Sequence, residues 1–224
     1  MKANSDLIKS AENRYHYNEE NHKKDIEYSI SNTTVYSPDN RFVEPYRDFD
    51  TEVTMALVTT TGGLREINKW DDHGKIALLN FASYKYPGGY FLGGSSAQEE
   101  FLCHESTLYN VLESFNTTYY ADYTIKEKPT EEEIEVTDIK LFDGDNFILQ
   151  DKIKADVITC AAPNWGAFSR HSENIHQFNS VLKDRIRFVL NIAADQQENS
   201  IYTSHFFSIV YCLTLQNYTK ISRK

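Results

Sequence analysis

With 224 residues, 40% hydrophobic and 25% charged, the chain suits one globular domain of moderate size, or one domain with extensions. Its formal charge of −10 argues against broad, nonspecific nucleic-acid binding, which needs a basic surface. Three scattered cysteines, Cys103, Cys160 and Cys212, give neither a disulfide framework nor a zinc spacing. The N-terminus has no apolar signal core, and residues 206–215 are too short and interrupted for a membrane span. A soluble protein of the cytoplasm, with the nucleus as the alternative, is expected.

Residues 1–33 are polar and mixed in charge, and predict a short helix at 7–15 or a loosely held arm. Residues 34–36 can start a strand, turned by Pro38 and Asp39. TEVTMALVTT, residues 51–60, suits an edge strand or a short helix, and Gly62–Gly63 and residues 70–74 read as loops. KIALLNF, residues 75–81, is a continuous apolar run that fits a strand buried on both faces. Residues 82–97 then hold Gly88, Gly89, Gly93 and Gly94. Ser96 and Glu99 satisfy the capping-box spacing, opening a helix with Phe101, Leu108, Leu112 and Phe115 on one side. Residues 116–145 are irregular, and the acidic run Glu131, Glu132, Glu133 predicts a solvated face or surface insertion. Strands are expected at 147–149 and 156–162, the second ended by Pro163, Asn164 and Gly166. Ser172 begins a helix with Ile175, Phe178, Leu182, Ile186, Val189 and Ala193 three or four apart. Residues 206–215 are the candidate for the strand that follows it. Strands alternating with helices point to an α/β layered domain with a mixed sheet. Ligands in such sheets sit at the carboxyl ends of strands, where Asn80 and Pro163–Asn164 fall.

The order of strand, glycine-rich turn and helix suits a phosphorylated ligand, because glycine lets backbone approach closely and a helix start presents free N–H groups. The stretch NFASYKYPGGYFLGGSSAQEE resembles the signature of the microbial-type poly(ADP-ribose) glycohydrolases, which have a macrodomain fold. Gly88, Gly89 and Tyr90 stand at its glycine triplet, and Gln98, Glu99 and Glu100 at its Gln-Glu-Glu. Asn80, Phe81 and Ala82, the downstream Leu102, Cys103, Leu108 and Tyr109, and the later ITCAAPN are similar too. The resemblance implies a macrodomain-like three-layer α/β/α fold with a mixed sheet. Residues 1–33 would be an N-terminal arm or accessory helix, 34–195 the catalytic domain, and 196–224 a divergent C-terminal segment. It implies hydrolysis of the ribose–ribose O-glycosidic bonds of poly(ADP-ribose), with Glu100 as general acid/base and Glu99 and Gln98 positioning the substrate. Gly88, Gly89 and Tyr90 would line the site, with Asn80 and Ser83 at its rim. No metal or redox cofactor is implied. The partners would be poly(ADP-ribose) or ADP-ribosylated proteins, with no direct nucleic acid and no membrane.

The alternative is a module that binds ADP-ribose without turnover. Three departures favour it: Tyr90 replaces the third glycine, Ser83 replaces an asparagine, and no glycine follows Gly166, where the family has a second glycine-rich loop on the diphosphate. The residues also carry plainer readings. Glu99 can be the capping partner of Ser96, the glycines can serve tight turns, and Asn80 can cap a strand end. Tyr119 and Tyr120 can stack on adenine or pack in the core, and Cys103 and Cys160 read as small buried hydrophobes. Adjacent helical side chains diverge by about 100°, so Glu99 and Glu100 cannot straddle one bond, and a division of labour follows. A helix start stabilises a carboxylate and opposes its work as an acid, so bound ligand is expected to help protonate Glu100.

Overall fold

The computed structural model describes residues 4–36, 49–56, 58–67, 69, 74–120, 133–142, 149–161, 175–196, 200–205 and 209–217. Among the described residues seven strands form one mixed sheet in the order β1-β4-β5-β3-β6-β7-β2. They are β1 (Thr34–Tyr36), β2 (Phe49–Ala56), β3 (Ile76–Phe81), β4 (Glu133–Phe142), β5 (Leu149–Cys160), β6 (Ser200–His205) and β7 (Ile209–Asn217). The middle strand β3 runs parallel to β5 and β6, and the outer pairings are antiparallel. The helices are α1 (Ser5–Asn21), α2 (Lys23–Asn32), α3 (Thr60–Ile67), α4 (Gln98–His104), α5 (Leu108–Glu113) and α6 (Ile175–Asp195).

Successive strand residues point to opposite faces, and the two cores follow that alternation. Ile76, Leu78, Ile153, Ala155 and Val157 join Ala11, Leu64, Leu102, Leu108 and Leu112 on one side. Ala77, Ile158, Cys160 and Ile201 join Val189, Ile192 and Ala193 of α6 on the other. Both faces of β3 and β5 are therefore covered, which is why their sequences are almost continuously apolar. This is the expected three-layer α/β/α arrangement with a mixed sheet.

Several local expectations change. The N-terminal helix is longer than residues 7–15, and it buries Ala11, Arg14 and Asn18. Residues 133–142 are a sheet strand rather than part of a surface insertion; EIEVTDIKLF alternates charge and apolarity at its start, which is a strand signal. The helix expected through Phe101 and Phe115 breaks into α4 and α5. Ser106 Oγ donates to Leu102 O at 2.6 Å and accepts the Leu108 N–H at 3.1 Å, so one hydroxyl ends the first helix and starts the second. Phe101 is consequently exposed while Leu108 and Leu112 are buried. In α6 the buried stripe is Arg185, Val189, Ile192 and Ala193, and Ile186 faces out. The strand following α6 is β6, not the segment at 206–215, most of which lies in β7. Residues 51–56 do form an edge strand, paired to β7. Pro38, Asp39, Pro163, Asn164, Gly166 and Ser172 lie outside the described residues.

Among the described residues no helix is long and apolar enough to cross a membrane. Cys103 and Cys160 are buried.

Candidate active site

Strand β3 delivers its last two residues to the N-terminus of α4. Asn80 is fully buried, and its Nδ2 donates to Glu99 Oε1 and to Thr159 Oγ1 of β5, each at 3.3 Å. Gln98 spans the same junction. Its Oε1 accepts the Phe81 N–H at 2.9 Å and its Nε2 donates to Leu79 O at 2.9 Å. The Gln98 amide thus continues the β3 edge as a strut, with its oxygen and nitrogen both engaged by backbone.

The two glutamates are buried, at 3% and 6% exposure, and have different surroundings. Glu99 Oε2 accepts the Ser83 N–H at 2.7 Å, so both oxygens of Glu99 hold protein donors. Glu100 Oε1 accepts the Tyr90 N–H at 2.9 Å, while its Oε2 is buried with no protein partner. Asn80 Oδ1 is a second buried oxygen without one. Burial pushes the Glu99 carboxyl up to about 8; the hydrogen bonds from Ser83 and Asn80 pull the other way without overcoming it, and the Glu100 charge adds to the rise. The Cys103 thiol is also pushed up by burial, then by the two glutamates, and stays neutral.

The capping box does not form. Residue Ala97 occupies the cap with no side-chain bond, and Glu99 turns to the sheet instead of back to Ser96. Two tertiary partners, Asn80 and Ser83, outweigh one local one.

The glycine loop wraps over these carboxylates as consecutive tight turns. Gly88 and Gly89 both have φ of +62°, a region that side chains resist. A Cβ on Gly89 would stand 2.6 Å from Glu100 Oε1, and one on Gly88 would stand 2.6 Å from the Tyr109 ring. The backbone is therefore the only thing that fits between loop and acids. Ser83 Oγ accepts the N–H groups of Lys85 and Tyr86, each at 3.2 Å, which commits its hydroxyl to the loop entry. The Tyr90 side chain is 67% exposed, and only its amide reaches inward. Asn80, Ser83, Gly88, Gly89, Tyr90, Gln98, Glu99 and Glu100 are thus gathered around the end of β3.

Sequence reasoning missed four supports. Phe91 is buried between the glycine pairs, its ring on Tyr109 and His104, and anchors the loop. A lone large apolar residue among glycines was the available signal. Thr159 was unmarked in its strand. Arg14 of α1 donates through Nε to His104 O at 2.8 Å, a cation at the carbonyl end of α4, and Asn18 bonds Ser106 O and Asn110 Oδ1. Tyr119 and Tyr120 are buried and packed on each other, which is the core reading. Among the described residues no three His, Cys, Asp or Glu side chains assemble to hold a metal ion.

A three-layer domain with a glycine turn closed over two buried glutamates, at the carboxyl end of its central strand, has macrodomain-like architecture. The chain belongs to the family of the microbial-type PARG catalytic domain, whose pattern matches residues 4–137, from α1 through the first half of β4. Among solved structures, poly(ADP-ribose) glycohydrolase (PARG) from Deinococcus radiodurans in complex with ADP-ribose is 30% identical, with a TM-score of 0.68 over 79% of this chain and 74% of that one. The enzyme from Thermomonospora curvata bound to the inhibitor ADP-HPD shares the fold at 23% identity, with a TM-score of 0.73 over 88% and 77%. No curated protein sequence matches the chain.

Proposed function

We propose that the chain is a glycosidase that hydrolyses the ribose–ribose O-glycosidic bonds of poly(ADP-ribose) and releases ADP-ribose, with Glu100 as general acid/base. One observation carries this reading: of the four carboxylate oxygens of Glu99 and Glu100, only Glu100 Oε2 is without a protein donor. In the reaction, protonated Glu100 gives its proton to the leaving ribose oxygen as the C1–O bond breaks toward an oxocarbenium-like state. The resulting carboxylate then takes a proton from the water that attacks the same carbon, which restores the acid. Bond cleavage consumes one water and needs no redox partner.

Glu99 is the positioning group. Its raised pKa leaves it largely protonated at neutral pH, so it adds little repulsion toward a polyanionic substrate. Asn80 Oδ1 is a second acceptor for a ribose hydroxyl. Gly88 and Gly89 set the loop backbone against the substrate, Gln98 fixes the helix, and Ser83 holds the loop. The substrate is free polymer or chains on ADP-ribosylated proteins, in the cytoplasm or nucleus, with no direct contact to nucleic acid.

The test is incubation with poly(ADP-ribose) and measurement of free ADP-ribose. Glu100→Gln is expected to lower the rate by roughly 10²–10⁴-fold, the usual range for losing a positioned acid. Turnover that survives this substitution would exclude Glu100 as the acid. A wild-type protein that binds ADP-ribose but releases none from polymer would be the binding module instead.

A further inference from the structure

The glycine loop carries an aromatic ring that the chemistry above leaves unused. Tyr90 stands where the family signature has a glycine, and its side chain is 67% exposed although its amide holds Glu100 Oε1 at 2.9 Å. The ring is not loose. It lies over Gly93, where a Cβ would fall 2.1 Å from Tyr90 Cε1 and 2.2 Å from Cζ. The missing side chain at Gly93 is the seat for the ring. Eight large apolar side chains are exposed among the described residues, and five of them are Phe81, Tyr86, Tyr90, Leu92 and Phe101. All five belong to the segments that hold the two glutamates.

The substrate chemistry says what this surface meets. In a ribose–ribose bond between ADP-ribose units, the leaving oxygen sits on a ribose whose neighbouring carbon carries adenine. The acid must reach that oxygen, so the adenine of the leaving unit lies next to the acid. The Tyr90 ring hangs on the residue whose amide binds the acid, within one side-chain length of it. Aromatic rings stack on nucleobases without needing a base-specific hydrogen bond.

Resting on the glycohydrolase reading, we propose that Tyr90, seated on Gly93, forms a leaving-group subsite that stacks the adenine of the departing ADP-ribose unit. The ring takes no part in proton transfer, and no bond is made to it.

The test is calorimetric binding of ADP-ribose and of a dimer of ADP-ribose joined ribose to ribose. The full chain carries Glu100→Gln to prevent turnover, alone or with Tyr90→Gly, Tyr90→Phe or Gly93→Ala. The dimer is expected to bind roughly tenfold tighter than ADP-ribose, the scale of one stacked base. Tyr90→Gly and Gly93→Ala should bring the ratio close to one, the second by displacing an exposed ring without moving backbone. Tyr90→Phe should keep the ratio. A dimer that binds no tighter than ADP-ribose, or a preference that survives Tyr90→Gly, overturns the subsite alone. Failure to bind ADP-ribose at all overturns the glycohydrolase reading and the subsite with it.

Discussion

The two sides of the central strand are built by different means. On the side of α4, side chains do the joining. Gln98 is bonded to the backbone of Leu79 and Phe81, Glu99 to Asn80 and Ser83, and Glu100 to Tyr90. On the side of β6 and β7, the joining is done by the ladder. β6 pairs with β3 over residues 76–78, and β7 pairs back onto β6 over six positions, with three residues between the two strands. A ladder bond uses groups that every residue except proline carries. A side-chain bond needs one residue type in one rotamer. The glutamate wall should therefore be intolerant of single substitutions, and the β6–β7 edge should absorb larger changes.

Among changes that leave both glutamates in place, the largest effect is expected from Gly89→Ala. It places a Cβ 2.6 Å from Glu100 Oε1 and forces a side chain into φ of +62°. The backbone penalty alone is roughly 1–2 kcal/mol. Displacing Glu100 by about 1 Å should lower polymer hydrolysis by about 10²-fold. Urea midpoints and release of ADP-ribose measure the two separately. A fully active Gly89→Ala would show that the loop is not in close contact with the acid.

The second prediction concerns the cost of burying the wall. The Glu99 carboxyl moves from 4.5 to about 8 on folding. The folded state then holds a proton that the unfolded chain has released, between those two pH values. The stability this contributes is complete below pH 4.5 and is lost as pH rises through about 8. Within that window Glu99 should tilt stability downward by up to about 1.4 kcal/mol per pH unit. Glu99→Gln should remove that part of the slope, read as the difference in urea midpoint between the two proteins from pH 5 to 8.5. Parallel profiles for the two proteins would mean that Glu99 is already ionised when buried.

These contrasts also account for what the sequence made legible. IALLNF reads as a doubly buried strand because both neighbours of β3 run parallel and both faces are covered. The Gly88–Gly89 pair and Gln98–Glu99–Glu100 are legible because backbone conformation and acid chemistry restrict the residue types there. What was hidden depends on distant partners. The Ser96–Glu99 pairing is a sound local expectation, and it loses to Asn80 and Ser83, which lie 19 and 16 residues from Glu99. Arg14 and Asn18 look like solvated helix residues until α1 docks, since the groups they bond lie 88 to 92 residues away. The strand at 133–142 was masked by its acids, which suggested a surface insertion. β6 was passed over because SIYTSH is short and half polar, and a ladder does not need it to be otherwise.

The smallest effect is expected at that ladder edge. Inserting four glycines between Phe206 and Ser208 lengthens the β6–β7 connection from three residues to seven. Loop-closure entropy grows only with the logarithm of length, so the expected loss is below about 1 kcal/mol. The register between β6 and β7 is set by backbone pairing from Ser200 to His205, and an insertion outside it leaves those pairs in place. Hydrolysis should change by less than about twofold, because no bond to Glu99 or Glu100 crosses this edge among the described residues. ADP-ribose affinity is the sharper readout. An unchanged affinity would mean that this edge contributes ladder bonds alone. A large loss of affinity would show that the short connection itself holds ligand, and the contrast between the two sides would fail.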